Sequence, residues 1–231
     1  MTLHERLGIP QEEKHVVALC GAGGKTTLMY ALARECREIV PTALFTSTHI
    51  FPPKGDDIVL SQPFSETECL DAWKQRKIVS AGTFLENERK FGPPEDAAAE
   101  FFCREGTAVF VESDGSRRLP LKYPGPLEPV ILPKTTHVVV VAGLSALGRA
   151  PEEVIHRLSL AREIMDIPER PVTAETAAEL MWRGYGCFSP IFLLNQADTP
   201  ELAEKGEKMA DRLRSLGAKH VAVLSLYSFL S

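Results

Sequence analysis

The chain has 231 residues, 44% of them apolar, and a formal net charge of −5. That is enough apolar material for a real core, and the economical count is one domain over 1–231 with an elaborated insertion at about 51–106. The acidic balance argues against a nucleic-acid backbone as partner, and with no apolar run of bilayer length a membrane is excluded too.

The five cysteines, Cys20, Cys36, Cys69, Cys103 and Cys187, contain no C-x-x-C pair and read as buried thiols in a reducing compartment, not as a disulfide frame or zinc site. Residues Met1 to Lys14 are charged and lack an apolar signal core, so the expected location is cytoplasmic. The segment through Pro10 reads as a short lead-in helix or loop.

His15-Val-Val-Ala-Leu-Cys20 is a short β-branched run that breaks at Gly21-Ala22-Gly23-Gly24-Lys25-Thr26-Thr27 and gives way to helical spacing. A strand, glycine loop and helix in that order let backbone N–H groups curl around an anion at the positive end of the helix. Lys25 adds a mobile charge for outer phosphates, and Thr26 a hydroxyl suited to phosphate-bound Mg²⁺. The spacing Gly21-x-x-Gly24-Lys25-Thr26-Thr27 resembles the loop of Mur-type ligases and of the wider P-loop NTPase class. A dinucleotide-binding turn is the rival, but Thr26 stands where its third glycine belongs and the second strand ends in Ser47-Thr48, without an acidic ribose ligand.

After the loop, Leu28, Leu32, Cys36 and Ile39 recur on one helix face until Pro41. Thr42 to Ser47 is a second buried strand, whose end offers Thr48 or His49 to Mg²⁺ or a substrate, or else hydroxyls that merely satisfy the strand end. In the segment from Phe51 to Gly106 the expectations are a turn at Pro52-Pro53-Lys54-Gly55, a short strand at Ile58 to Leu60 and a helix capped by Ser65. Ile78 to Leu85 and the following Glu88 to Phe91 read as another strand with a hairpin, and a helix with Pro94 in its first turn follows.

Thr107 to Val111 is an apolar strand that ends in Glu112-Ser-Asp114-Gly-Ser-Arg117-Arg118. A carboxylate at such a tip can bind Mg²⁺ or hold one of its waters, so Glu112 and Asp114 divide metal binding and water activation, in an order the sequence leaves open. Arg117 and Arg118 can neutralise phosphate or a second anionic ligand, although a turn with surface arginines would look the same. Five of the chain's 17 prolines fall between Leu119 and Pro133, a stiff segment that could wall a pocket. His137 to Ala142 is a strand buried on both faces. Val154, Leu158, Ala161 and Met165 mark one helix, with His156 and Arg157 on its solvated face, and Ala177 to Gly184 another.

Pro190 to Asn195 is a further strand, with the tail Asn195-Gln196-Ala197-Asp198. The tail resembles the Asn-Lys-x-Asp guanine reader of GTPases, with Gln196 in place of the lysine, but Thr199 and Pro200 could equally be opening the next helix. That helix ends at Gly217, and Val221 to Leu226 is the last strand. Strands alternating with helices predict an α/β, doubly wound, mostly parallel sheet of three layers, α/β/α, with a ligand at its carboxyl rim.

Gly21 to Thr27, Thr46-Ser-Thr-His-Ile50, Val111-Glu-Ser-Asp-Gly-Ser-Arg-Arg-Leu-Pro-Leu-Lys122 and Leu194-Asn-Gln-Ala-Asp198 together resemble the YqeC family of selenium-dependent hydroxylase accessory proteins. The resemblance implies a P-loop NTPase fold and a part in maturing a molybdenum hydroxylase or its cofactor. The functional expectation is a Mg²⁺-dependent ATP- or GTP-binding protein. Gly21 to Thr27 would hold phosphates, Thr26, Thr48, Glu112 and Asp114 the metal, Asn195 and Asp198 the base, and Arg117 and Arg118 a substrate. A carrier of a phosphorylated pterin-type cofactor and a nucleotide-dependent ligase or kinase are the alternatives.

Overall fold

The computed structural model describes residues 1–85 and 90–229. The chain opens with α1 (Leu3–Leu7), whose Thr2 and Glu5 close a capping box, and continues through β1 (His15–Gly21) into α2 (Lys25–Cys36). Next come β2 (Thr42–Thr46), β3 (Ile58–Leu60), α3 (Glu66–Lys74), β4 (Ile78–Ser80), β5 (Phe84–Leu85), β6 (Lys90–Phe91), α4 (Asp96–Glu105) and β7 (Ala108–Glu112). Then follow β8 (Leu121–Lys122), β9 (His137–Gly143), α5 (Pro151–Val154), β10 (Ile155–His156), α6 (Leu158–Ile164), α7 (Ala174–Tyr185), β11 (Ile191–Asn195), α8 (Pro200–Leu216) and β12 (His220–Val223).

Eight strands form one sheet in the order β12-β11-β9-β1-β7-β2-β4-β3, and the pairings of β11 with β12 and β9, of β2 with β7 and β4, and of β3 with β4 are parallel. With helices flanking it, this is the expected mostly parallel α/β/α arrangement. The chain divides into two compact units: Met1–Ala18 with Leu28–Gly115 and Val130–His137, and Leu19–Thr27 with Ser116–Pro129 and the chain from Val138 onward.

In the first unit, Phe45 of β2, Val79 of β4 and Val109 and Val111 of β7 share a core with Phe101 and Phe102 of α4. Trp73 stacks on Phe101, with 5.6 Å between ring centroids, and its indole N–H donates to the Thr42 carbonyl at 2.9 Å, so the half-buried ring packs on the core without stranding its polar atom. The segment after Phe51 thus supplies two strands of the main sheet. In the second unit α7 packs on α8. Gly206 of α8 comes so close to Leu144 and Val223 that a Cβ would lie 2.8 and 2.7 Å from their side chains.

Several local expectations need correction. Helix α2 stops at Cys36, which leaves Ile39 half exposed instead of on the buried face. Ile78 to Leu85 is two strands, β4 and β5, although β5 does pair antiparallel with β6 as a hairpin requires; Glu88 lies outside the described residues. Pro94 precedes the N-cap Glu95 and is not in the first turn of α4. Gly184 lies within α7, and Cys187 is exposed. The apolar spacing from Val154 to Met165 is not one helix: β10 and a left-handed Arg157 (φ 65°) separate α5 from α6, because Ile155 and His156 pair with Leu121 and Lys122 of β8.

Candidate functional site

The loop from Gly21 to Gly24 follows a completely buried strand, and each of its glycines is needed for a steric reason. Gly21, Gly23 and Gly24 have φ of 86°, 83° and 131°, a region L-residues rarely enter. A Cβ on Gly21 would collide with the Val141 carbonyl and one on Gly23 with the backbone of Gly143, while one on Gly24 would lie 2.5 Å from Asn195 Nδ2. The Ala22 N–H donates to the Val141 carbonyl at 2.8 Å, which fastens the loop to β9.

Helix α2 starts at Lys25 with no acidic residue in its first turn, so its own side chains do not offset the positive end of the helix dipole. Lys25 is 3% exposed, and its Nζ folds back to donate to the Gly21 carbonyl at 2.7 Å. Gly23, Gly24, Thr26 and Thr27 remain partly exposed. A backbone cradle that a Cβ would fill, beside an ammonium and a hydroxyl, suits a phosphate chain.

Asn195 is built into the same loop. Its Nδ2 donates to the Gly23 carbonyl at 2.8 Å, and its Oδ1 accepts from the Leu226 N–H at 3.0 Å. Its amide carries two donors and two acceptor lone pairs, so any contact with a base is additional to this brace. Asp198 is exposed and accepts from Ser225 Oγ at 2.5 Å. Gln196 adopts φ 71° and accepts the Ser145 N–H at 3.2 Å, so the residue that replaces the expected lysine ties two loops together.

In the other unit the tip of β7 is buried, with Glu112 6% and Asp114 0% exposed. The Glu112 carbonyl accepts from the Ser47 N–H at 3.0 Å and from Thr46 Oγ1 at 3.1 Å. Thr48 lies one step further out, with its hydroxyl 3.2 Å from that of Thr46. These are hard oxygen donors of the kind Mg²⁺ takes. Tyr30, which sequence reasoning missed, belongs here: burial first, and the Glu112 charge second, push its phenol up to about 12. Its position four residues after Thr26, one helical turn on, was the available signal.

Arg117 and Arg118 are exposed and both left-handed, at φ 50° and 64°. Beyond them the proline-rich segment forms an ion-pair centre that the sequence did not announce. Lys122 is completely buried, with Nζ 2.6 Å from Glu128 Oε2, and Arg157 meets Glu128 Oε1 at 3.1 Å. Burial alone would raise the Glu128 carboxyl, but the Lys122 bond and charge, the Gly125 N–H and Arg157 outweigh it and hold it below the usual range. Burial, then the charges of Lys122, Arg157 and Arg117, lower His156 below its ordinary value, against the opposing charge of Glu128. The Pro120 carbonyl accepts the Gly143 N–H at 2.8 Å and would stand 3.0 Å from a Cβ on Gly23, so this segment starts against the glycine loop. His156 and Arg157 are therefore part of this centre, contrary to the solvated helix face expected for them.

A surface cleft bordered by Glu179, Trp182, Cys187 and Arg212 contains none of the candidate phosphate-, metal-, base- or substrate-binding residues expected from the sequence. Among the described residues, no helix is long and apolar enough to cross a membrane.

The chain is 28% identical over 197 residues to the uncharacterized protein YqeC of Escherichia coli strain K12, an alignment covering 78% of this chain and 73% of that protein. The family described as YqeC protein matches residues 17–159, which run from β1 through the glycine loop, the acidic strand tip and the Lys122–Glu128–Arg157 centre. With more than half of the chain covered by that match, the protein belongs to the YqeC family.

Proposed function

We propose that this protein is a Mg²⁺-dependent nucleoside triphosphatase that serves as an accessory factor in maturing a selenium-dependent molybdenum hydroxylase. The carrying observation is the glycine loop: three positive-φ glycines without room for a Cβ, followed at once by a buried lysine at a helix N-terminus. In this reading the amides of Gly21 to Gly24 and the Lys25 ammonium bind phosphate oxygens, and Thr26, with Glu112 or Asp114 and Thr48, holds Mg²⁺. The bound cation would draw charge from the phosphates, while the other carboxylate orients the attacking water. Asn195 and Asp198 meet the base, and the choice between GTP and ATP rests on that contact. The hydroxylase assignment rests on the family resemblance alone.

The centre around Lys122 favours one second reading, transfer of phosphate to an acceptor instead of water. Lys122 and Arg157 meet Glu128, and their charges together with that of Arg117 reach His156, a basic set suited to an anionic acceptor. Phosphate release from ATP and GTP, with and without Mg²⁺, tests both readings. Hydrolysis predicts release without an acceptor, and Lys25→Ala should lower turnover by about a hundredfold or more. Release only on addition of an anionic acceptor would favour transfer, and unchanged turnover in Lys25→Ala would overturn the proposed loop chemistry.

A further inference from the structure

Two histidines and a cysteine far apart in sequence meet inside the first unit: His4 of α1, His15 of β1 and Cys36 of α2, exposed by 1%, 0% and 0%. One ligand atom from each lies within 4.8 Å of the others. The partners of the rings fix which nitrogens face inward. His4 Nδ1 is 2.7 Å from Glu35 Oε2, a carboxylate that also accepts the His4 N–H, while Glu35 Oε1 accepts the Leu3 N–H. His15 Nδ1 is 2.8 Å from the Glu13 carbonyl. Neither oxygen can donate, so both Nδ1 atoms carry the proton, and in the neutral tautomer that a metal ion would bind each Nε2 presents its lone pair.

His4 Nε2 lies 3.2 Å from Cys36 Sγ. His15 Nε2 is buried with no hydrogen-bond partner among the described residues. A buried imidazole with an unused lone pair aimed at a second imidazole and a thiol is costly in a core unless something binds there. Phe110 packs at steep angles to both rings, 71° and 62°, with centroids 6.0 Å from His4 and 5.5 Å from His15.

We propose that His4 Nε2, His15 Nε2 and Cys36 Sγ bind one d¹⁰ metal ion, Zn²⁺ or Cu⁺. Bonds of about 2.0 Å to nitrogen and about 2.3 Å to sulfur put two donors on a tetrahedral ion about 3.5 Å apart, and His4 and Cys36 already stand near that separation. Closing the third side asks only for side-chain adjustment. Binding replaces the thiol proton: the Cys36 S–H bond breaks, the proton leaves to solvent, and the thiolate sulfur donates its pair to the ion. Glu35 on His4 Nδ1 is the outer carboxylate that orients a ligating imidazole and, for Zn²⁺, completes charge neutrality with the thiolate. Because the ligands come from α1, β1 and α2, the ion would enter as the unit folds and would pin the N-terminal helix to the sheet.

The test uses the full chain, unfolded with chelator and refolded with Co²⁺, Zn²⁺ or Cu⁺. The expected result is stoichiometric uptake, a thiolate-to-cobalt absorption band with Co²⁺, and its loss on addition of whichever of Zn²⁺ or Cu⁺ the site prefers. Cys36→Ser and His15→Phe should abolish the band, and Cys187→Ser, at the exposed thiol, should leave it intact. X-ray absorption of the wild-type metal-loaded protein gives a readout that needs no variant: one sulfur and two imidazole nitrogens on the ion. Absence of uptake, a band that survives Cys36→Ser or vanishes with Cys187→Ser, or an ion without sulfur would overturn the proposal and leave a hydrogen-bonded core cluster.

Discussion

Lys122 is completely buried and pairs with Glu128, and its removal leaves Glu128 with Arg157 and the Gly125 N–H as partners. Breaking a buried pair from one side costs about 3–5 kcal/mol, whereas replacing both partners can be nearly neutral. Lys122→Met and Glu128→Gln should therefore each lower urea stability by amounts of that order, and the double variant should recover part of the loss. Additive losses would mean the two side chains are not coupled. The pH dependence follows from the depressed Glu128 carboxyl. Its stabilisation is fully present above the ordinary value of 4.5 and is lost as pH falls through the lower folded-state value. Glu128→Gln should show a shallower acid limb in urea titrations than the wild type, and an identical limb would contradict the assignment. At this scale the sequence revealed the loop residues, because glycine and lysine spacing is local. It hid Lys122, Glu128 and Arg157, because their pairing depends on a contact between β8 and β10 that no periodicity encodes. Asn195 was visible as a polar strand end, but its bonds to Gly23 and Leu226 come from chain segments distant in sequence.

Elements show the same division between local signal and tertiary override. Thr199 caps α8 and Pro200 opens it, as their residue types demand. The apolar spacing around Ile155 reads as helix until two residues are taken into a parallel bridge with Leu121 and Lys122. Gly184 reads as a helix terminator, yet it lies inside α7 because Pro124 packs against it. An exposed Gly-to-Ala change in a helix gains about 1 kcal/mol from propensity. Here a Cβ would lie 2.7 Å from Pro124 Cδ, on a rigid ring, so the collision outweighs that gain. Gly184→Ala should lower the urea midpoint without changing the denaturant slope; a raised midpoint would show that the proline segment yields freely.

For the molecule as a whole, alternation of strands and helices was enough to establish the parallel α/β/α sheet, because continuous apolar strands separated by amphipathic helices have few other solutions. The central functional claim is that the loop between β1 and α2 binds a nucleoside triphosphate with Mg²⁺. A ligand that binds only the folded chain also raises its stability by mass action, by about 2.7 kcal/mol at a hundredfold excess over Kd. Calorimetric titration of the purified protein with GTP and with ATP, each with and without Mg²⁺, tests the claim most directly. The account predicts stoichiometric, Mg²⁺-strengthened binding of at least one of them that Lys25→Ala weakens severely. Absence of binding by both, or binding that Lys25→Ala leaves untouched, would contradict it.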